Sequence, residues 1–278
     1  MPPLVSRIVT CYRQWAYLAQ WIGDETLFSP EIEWFVVNDA PADPPPPELA
    51  AKLTERGIRL LSPPANLGRS RARNLGARES SGRWLDFIDG DDRPLVLATT
   101  GLAESTAGLI EHPVRLAQKG RDLFELGASA PVSRPSIWRS LLPEYQPINV
   151  TPAAVLWRRE TFQLLAGFDA RFDGAEDFHL VFRAMLAEVP LARLDTPKQC
   201  YFSAAHSPTK DATHIDSHQR VLSWIVAQDL GALSEEARFW LGKEVVYDAC
   251  LKLRVVWTHR RSVWRFLRSR LGRSNRNW

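Results

Sequence analysis

Four short apolar, β-branched runs, separated by helix-like stretches, fill the first ninety residues. They are Arg7–Cys11 (RIVTC), Glu33–Asn38 (EWFVVN), Ile58–Leu61 and Arg83–Ile88. Between them lie Trp15–Leu27, with apolar residues near helical spacing, Glu48–Arg56 behind the prolines Pro44–Pro47, and Arg69–Glu79, stopped at Gly82. Strand, helix, strand, repeated, cannot close as hairpins. It predicts an α/β fold, a mostly parallel sheet with helices on both faces. A chain of 278 residues with 45% hydrophobic content can bury such a core unaided. The three cysteines, Cys11, Cys200 and Cys250, are too few and too scattered for a disulfide framework or a CxxC metal site.

Ligands on open parallel sheets bind at the carboxyl ends of the strands. Here those ends carry Thr10 and Tyr12, then Asp39, then Asn66, then Asp89 and Asp91. Four ends converging on acids and amides predict one nucleotide-type pocket. No GxGxxG follows the first strand and no GxxxxGK[ST] occurs, so neither a dinucleotide site nor a P-loop is expected. The run Asp89-Gly90-Asp91-Asp92 sets two carboxylates near one point at a strand end. That suits a hard cation, Mg²⁺ or Mn²⁺, which takes carboxylates and substrate phosphates. A solvated acidic turn is the competing reading of that run alone.

Beyond Arg93 the pattern blurs until Ala153–Trp157 (strand-like), Glu160–Leu165 (helix-like) and a helical stretch that starts at Glu176-Asp177. Residues 217 to about 271 read as helical. This divides the chain into a domain over 1–210 and a helical extension over 211–278. The net charge of +3 hides an asymmetry. From Lys252 onward there are nine basic residues and no acid, so the body is net acidic. Leu253, Val256, Trp257, Val263, Trp264, Leu267 and Leu271 lie near one helical stripe of that tail. Such a helix fits either the plane of an anionic membrane surface or a seat on the main domain. Nucleic acid is not an expected partner, because no recognition motif accompanies the charge. Eleven tryptophans in a basic context point weakly to a membrane- or sugar-facing surface. No secretory leader is read at the start, and no apolar run nears the ~18 residues of a membrane span. The expected location is cytoplasmic, peripheral on the inner face of the cell membrane.

The stretch Asn66–Asp92, NLGRSRARNLGARESSGRWLDFIDGDD, resembles the family 2 glycosyltransferases, which have the GT-A fold. Asn66, Gly68, Ala72, Arg73, Asn74, Gly76, Gly82, Asp89, Asp91 and Asp92 follow that family's pattern in order. Val37-Asn38-Asp39 is a second anchor. The third is Gly167-Phe168-Asp169, followed by Gly174-Ala175-Glu176-Asp177-Phe178 and Arg183. The likeness runs from about residue 6 to about residue 205. It departs at Thr10-Cys11-Tyr12-Arg13 and at Ala40-Pro41 after Asp39, both on the side expected to hold the donor's base and ribose.

The resemblance implies a division of labour. Asp39 accepts a hydrogen bond from the donor base, an N–H of uracil suiting an acceptor-only carboxylate. Tyr12 stacks on that base or belongs to the core. Thr10 and Asn66 line the nucleotide site. Arg73 faces the donor or braces Asp89, and Asp89 lies near the ribose. Asp91 and Asp89 hold Mn²⁺ or Mg²⁺, with His206 as a further ligand. Asp92 orients them or caps the next turn. Asp177 is the catalytic base, held in place by Glu176 and Arg183. His179 is a further residue on the acceptor side. His112, His214, His218 and His259 read as surface residues.

The expected activity is metal-dependent, inverting transfer of a sugar from a nucleotide-sugar, a UDP-sugar first, to a hydroxyl of a glycan or lipid-linked acceptor. The alternatives are a non-catalytic GT-A scaffold that binds membrane or nucleic acid, and a sugar nucleotidyltransferase. The latter is ranked low because its Gly-rich N-terminal loop is missing.

Overall fold

The computed structural model describes residues 2–113, 115–117 and 154–202, with positions 217, 220, 221, 223, 224, 227 and 228. Every element named below falls in one compact unit, Met1–Ser136 with Pro147–Ala227. His206, His214, His218, His259 and the basic tail lie outside the described residues. Among the described residues no helix is long and apolar enough to cross a membrane.

The strands are β1 (Val5–Cys11), β2 (Ile32–Asn38), β3 (Arg59–Leu61), β4 (Trp84–Asp89), β5 (Arg93–Pro94), β6 (Leu109–Glu111), β7 (Arg115–Ala117), β8 (Val155–Arg158), β9 (Leu191–Arg193) and β10 (Gln199–Phe202). The helices are α1 (Trp15–Trp21), α2 (Pro47–Glu55), α3 (Arg69–Glu79), α4 (Arg159–Leu164) and α5 (Glu176–Leu186). Among the described residues the main sheet has seven strands in the order β3-β2-β1-β4-β8-β6-β9, and a small sheet has the order β5-β10-β7. β3, β2, β1 and β4 run parallel, as the alternation predicts. β8 then enters antiparallel between β4 and β6.

Side-chain parity splits the core. Val5, Val9 and Cys11 of β1 pack with Trp34 and Val36 of β2 and with Trp15, Leu18, Trp21, Leu49 and Leu53 of α1 and α2. On the opposite face Ile8 and Val37 meet α3 so closely that a Cβ on Gly76 would sit 2.3 Å from Ile8 Cγ2. Only glycine lets the helix lie that near the sheet. Phe87, Phe162 and Phe168 complete this second face, their ring centroids 5.0 to 5.4 Å apart.

α1 is shorter than its sequence predicts. It stops before Gly23, and Glu25–Leu27 form a separate 3-10 turn that Asp24 caps through Thr26 N. The tryptophans also correct an expectation: Trp15, Trp21, Trp34, Trp84 and Trp157 are core residues, not surface rings. His112 is buried as well, its Nδ1 2.8 Å from the Thr196 carbonyl oxygen. Burial pushes its imidazole down to about 4. It directly follows the buried strand β6, a position that no local motif marks.

Arg159, the first residue of α4, ties this later part of the chain to the earlier one. Its guanidinium donates to the carbonyls of Gly82 and Ala77 at 2.6 and 2.7 Å and to the hydroxyls of Ser80 and Ser6 at 2.9 and 3.2 Å. Its backbone N–H donates to the Arg83 carbonyl at 2.9 Å.

Candidate active site

The sheet register sets Thr10 level with Asp89, and Cys11 level with Asn38. Parallel strands therefore end together, and their polar tips form one rim. The turn Asp89–Asp92 is closed by the Asp92 N–H on the Asp89 carbonyl at 2.9 Å. Gly90 fits where a Cβ would come within 2.8 Å of the Thr10 carbonyl. The acidic turn is thus packed onto the end of β1 and is not a free solvated loop. Thr10 is buried beneath it, whereas Tyr12 stands 51% exposed, the Arg13 guanidinium over its ring.

Asp39 continues from β2. Its carboxylate accepts the Leu67 N–H at 2.6 Å and is also bonded by the Gly68 amide. Asn66 Nδ2 donates to the Asp39 carbonyl at 2.7 Å. Asp39 and Asn66 therefore shape one loop before α3. Burial holds the Asp39 carboxyl above its ordinary range, against those amide bonds.

Gly68, with φ +78°, leads into α3 as its N-cap residue. Asp173 caps it from more than a hundred residues away, accepting from Ser70 N at 3.2 Å and from Ser70 Oγ. A Cβ on Gly68 would lie 2.5 Å from Asp173 Oδ2, so both φ and space demand glycine. One turn on, Asn74 embraces the backbone of Phe168: its Nδ2 donates to the carbonyl at 2.8 Å and its Oδ1 accepts the N–H at 3.0 Å. The Arg-Asn pair and the Gly-Phe-Asp stretch, distant in sequence, form a single construction.

Arg73 is its centre. The guanidinium is 1% exposed and lies over the Phe168 ring, 5.3 Å from its centroid. One nitrogen donates to Glu176 Oε1 at 2.6 Å, and another to Asp89 Oδ1. Two carboxylates outweigh the cost of burial and hold the arginine above its ordinary range. The same pairing keeps Asp89 below the usual carboxylate range although burial opposes it. Glu176 is 2% exposed and also accepts the Gly174 N–H at 2.6 Å. Arg69 Nε stands 3.9 Å from its Oε1.

Asp177, next to Glu176 at the start of α5, is half-buried. Among the described residues its Oδ1 accepts a local bond, from Phe178 N at 2.7 Å. Burial, and then the neighbouring Glu176 charge, push its carboxyl up to about 7. Such a group exchanges a proton near neutrality, as a general base requires.

Two expected neighbours stand elsewhere. Arg183 donates to the carbonyls of Leu165 and Gly167 and so fastens the turn before Phe168. His179 is 1% exposed, wedged between Phe172 and Trp224 with ring centroids 4.1 and 4.4 Å away. Burial, then Arg183, lower its imidazole to about 4. It is a neutral core ring, not an acceptor contact.

Asp91 is half-buried on the turn, while Asp92 is 2% exposed with its Oδ2 2.9 Å from Gln199 Nε2. Among the described residues no group of three or more His, Cys, Asp or Glu side chains forms a ready metal cage. Two acids on one turn still fit Mg²⁺ or Mn²⁺ in its usual mode of one or two carboxylates plus phosphate oxygens.

Sequence reading did not find the parts that Asp173, Gln199 and Lys198 play. For Asp173 the only local signal is its place in the Phe-Asp-Gly run before Glu176.

Residues 6–98 match the family model described as Glycosyl transferase family 2. No curated protein sequence matches the chain. Among solved structures it is similar to S. aureus TarS 1–349 in complex with UDP, with TM-score 0.62, 17% identity, and 88% of this chain and 71% of that chain covered. The same TarS portion in complex with UDP-GlcNAc gives 0.63 at 16% identity, covering 89% and 72%. The mannosyltransferase PcManGT from Pyrobaculum calidifontis, in complex with GDP-Man and Mn²⁺, gives 0.60 at 14% identity, covering 93% and 76%. At such identities the likeness is one of fold, and the fold is GT-A.

Proposed function

With residues 6–98 in glycosyl transferase family 2 and the chain on a GT-A fold, we propose that it transfers a sugar from a nucleotide-sugar to an acceptor hydroxyl with inversion. The observation that carries this reading is the Asp89–Arg73–Glu176 bridge. It joins the acidic turn at the end of β4 to the first residue of α5, beside Asp177. The bridge supports the reading because it holds that acidic turn and the start of α5 in a fixed relation, as a single displacement needs of its donor site and its base.

Tyr12 stacks on the base. Asp39 offers a carboxylate with lone pairs beyond those its loop amides use, which suits the N–H of uracil. A UDP-sugar is therefore the first donor to try. Thr10, Asn66 and Asp89 shape the ribose and phosphate side. Mn²⁺ or Mg²⁺, held by Asp91 and Asp89, would neutralise charge that develops on the departing diphosphate. Asp177 takes the acceptor's proton as the hydroxyl attacks the anomeric carbon. Burial, and then the neighbouring Glu176, keep Asp177 basic enough for that task, and Arg73 holds Glu176 in place.

The acceptor is a glycan or a lipid-linked saccharide. The basic tail after Leu251 seats the protein on the cytoplasmic face of an anionic membrane, each basic residue there contributing ~1 kcal/mol. Two assays test the reading. A panel of UDP- and GDP-sugars with Mn²⁺ is scored by release of nucleoside diphosphate. Flotation with phosphatidylglycerol vesicles is compared before and after removal of Trp257–Trp278. No release from any donor removes the catalytic reading, and equal flotation removes the membrane seat.

A further inference from the structure

A second polar cluster lies on the other face of the sheet, beneath the acidic turn, and the donor site described above does not use it directly. Arg7 and Asp86 face each other across β1 and β4 in register. Arg7 Nε donates to Asp86 Oδ2 at 3.0 Å, and Lys198 Nζ donates to Asp86 Oδ1. All three side chains are wholly buried. Lys198 Nζ also lies 3.3 Å from Gln199 Oε1, and Gln199 Nε2 donates to Asp92 Oδ2 at 2.9 Å. Gln199 is wholly buried too. Arg7 further donates to the carbonyls of Leu95 and Lys198 at 2.8 and 3.2 Å, so the cluster also grips the backbone on both sides of the turn's exit.

Burying Arg7 and Lys198 with the carboxylates of Asp86 and Asp92 is costly. Apolar residues of similar volume would serve stability as well or better. What the cluster adds is direction. An ammonium only donates and a carboxylate only accepts. Gln199 therefore satisfies both neighbours in one orientation alone, oxygen to Lys198 and nitrogen to Asp92. Reversed, its oxygen would meet the Asp92 carboxylate and its NH₂ the Lys198 ammonium. Lys198 thus selects the amide orientation, and the amide draws the Asp92 carboxylate inward. The Asp92 backbone N–H closes the turn on the Asp89 carbonyl, so a fixed Asp92 fixes the turn that presents Asp91.

We infer that Gln199, oriented by Lys198, is a positioning residue for the Asp91 turn, setting how that turn receives a divalent cation with a nucleoside diphosphate. The inference rests on the proposed function. Partners that orient metal ligands are worth ~10–100-fold in metal affinity.

The test is calorimetry of UDP and of GDP binding to the full chain, with and without Mn²⁺, on wild type, Gln199→Leu and Lys198→Met. The expected result is a wild-type affinity that Mn²⁺ strengthens. In Gln199→Leu and Lys198→Met the Mn²⁺-dependent gain falls by ~10–100-fold while metal-free binding is unchanged. Lys198→Met keeps Arg7 on Asp86 and so carries the test if Gln199→Leu does not fold. A wild type whose nucleotide binding ignores Mn²⁺ overturns the proposed function and this inference with it. A responsive wild type beside an equally responsive folded variant overturns the inference alone. Failure of both variants to fold makes the cluster a folding element and overturns it too.

Discussion

Arg73 Nη1 lies 2.6 Å from Glu176 Oε1, while Nη2 of the same guanidinium holds Asp89. A single buried cation thus joins the acidic turn after β4 to the first turn of α5. Arg73→Met takes the bonded cation from Glu176 in a dry site, at 2% exposure. Breaking a buried pair from one side costs ~3–5 kcal/mol, so the urea midpoint should fall sharply. The double variant Arg73→Met, Glu176→Met should recover much of that loss. Equal midpoints for Arg73→Met and wild type would show that the bridge carries no stability.

The Asp177 carboxyl, pushed up to about 7 from an ordinary 3.8, gives a pH dependence of known sign. As the proposed base it works ionised, so kcat/KM should bend downward below about pH 7 and not near 4. Stability runs the other way. The folded state holds this proton more tightly than the unfolded one, so the contribution is full below 3.8 and is lost as pH rises through about 7. Asp177→Asn should abolish transfer yet raise Tm at pH 8 more than at pH 5. An acid limb near 4 with unchanged Tm at both pH values would contradict the assignment.

Asp91→Asn exchanges a charged oxygen for a neutral one at the turn. A hard cation binds the amide poorly. The Mn²⁺-dependent part of nucleoside diphosphate binding should vanish in calorimetry, with circular dichroism unaltered. Retained enhancement would move the ligand role off Asp91.

Tyr12 is half exposed, so its ring adds little to the core. Tyr12→Ala should leave Tm unchanged. Loss of an aromatic stack on a base weakens donor binding by ~1–3 kcal/mol, read as the change in UDP dissociation constant. An unchanged constant would leave Tyr12 a surface residue.

Asn74→Ala strips both polar groups of the Phe168 backbone of their partner. Leaving a buried group unsatisfied costs ~1–3 kcal/mol, so Tm should fall by several degrees. A neutral effect would mean that water replaces the amide.

The first four strands were legible because each is a short apolar run with its own punctuation. Asn66, Arg73, Asn74 and Asp89 were legible as a motif, but what they touch was not. Asn74 and Arg73 meet partners roughly a hundred residues on, and no local period records such a pairing. β8 was read as a strand, yet its antiparallel insertion beside β4 depends on a chain crossing that periodicity does not encode. The buried charges were the least legible. Arg7 and Lys198 belong to types that sequence reading assigns to water, and His112 was placed on the surface for want of a motif. A signal existed for one pair. Arg7 and Asp86 are opposite charges set inside otherwise apolar strands, and neighbouring parallel strands bring them level.

The four anchoring bonds of the Arg159 guanidinium bear on how the gene could be divided. The stretch recognised by the family model ends at residue 98, before β8, and β4 would then present an unpaired edge. Expressed by itself, that stretch should self-associate through this edge instead of acting as a miniature donor-binding module. Arg159 and β8 supply the missing complement from a separate length of polypeptide. The contacts that complete the β4 edge thus come from chain beyond the recognised stretch, and cutting between the two would part a single sheet.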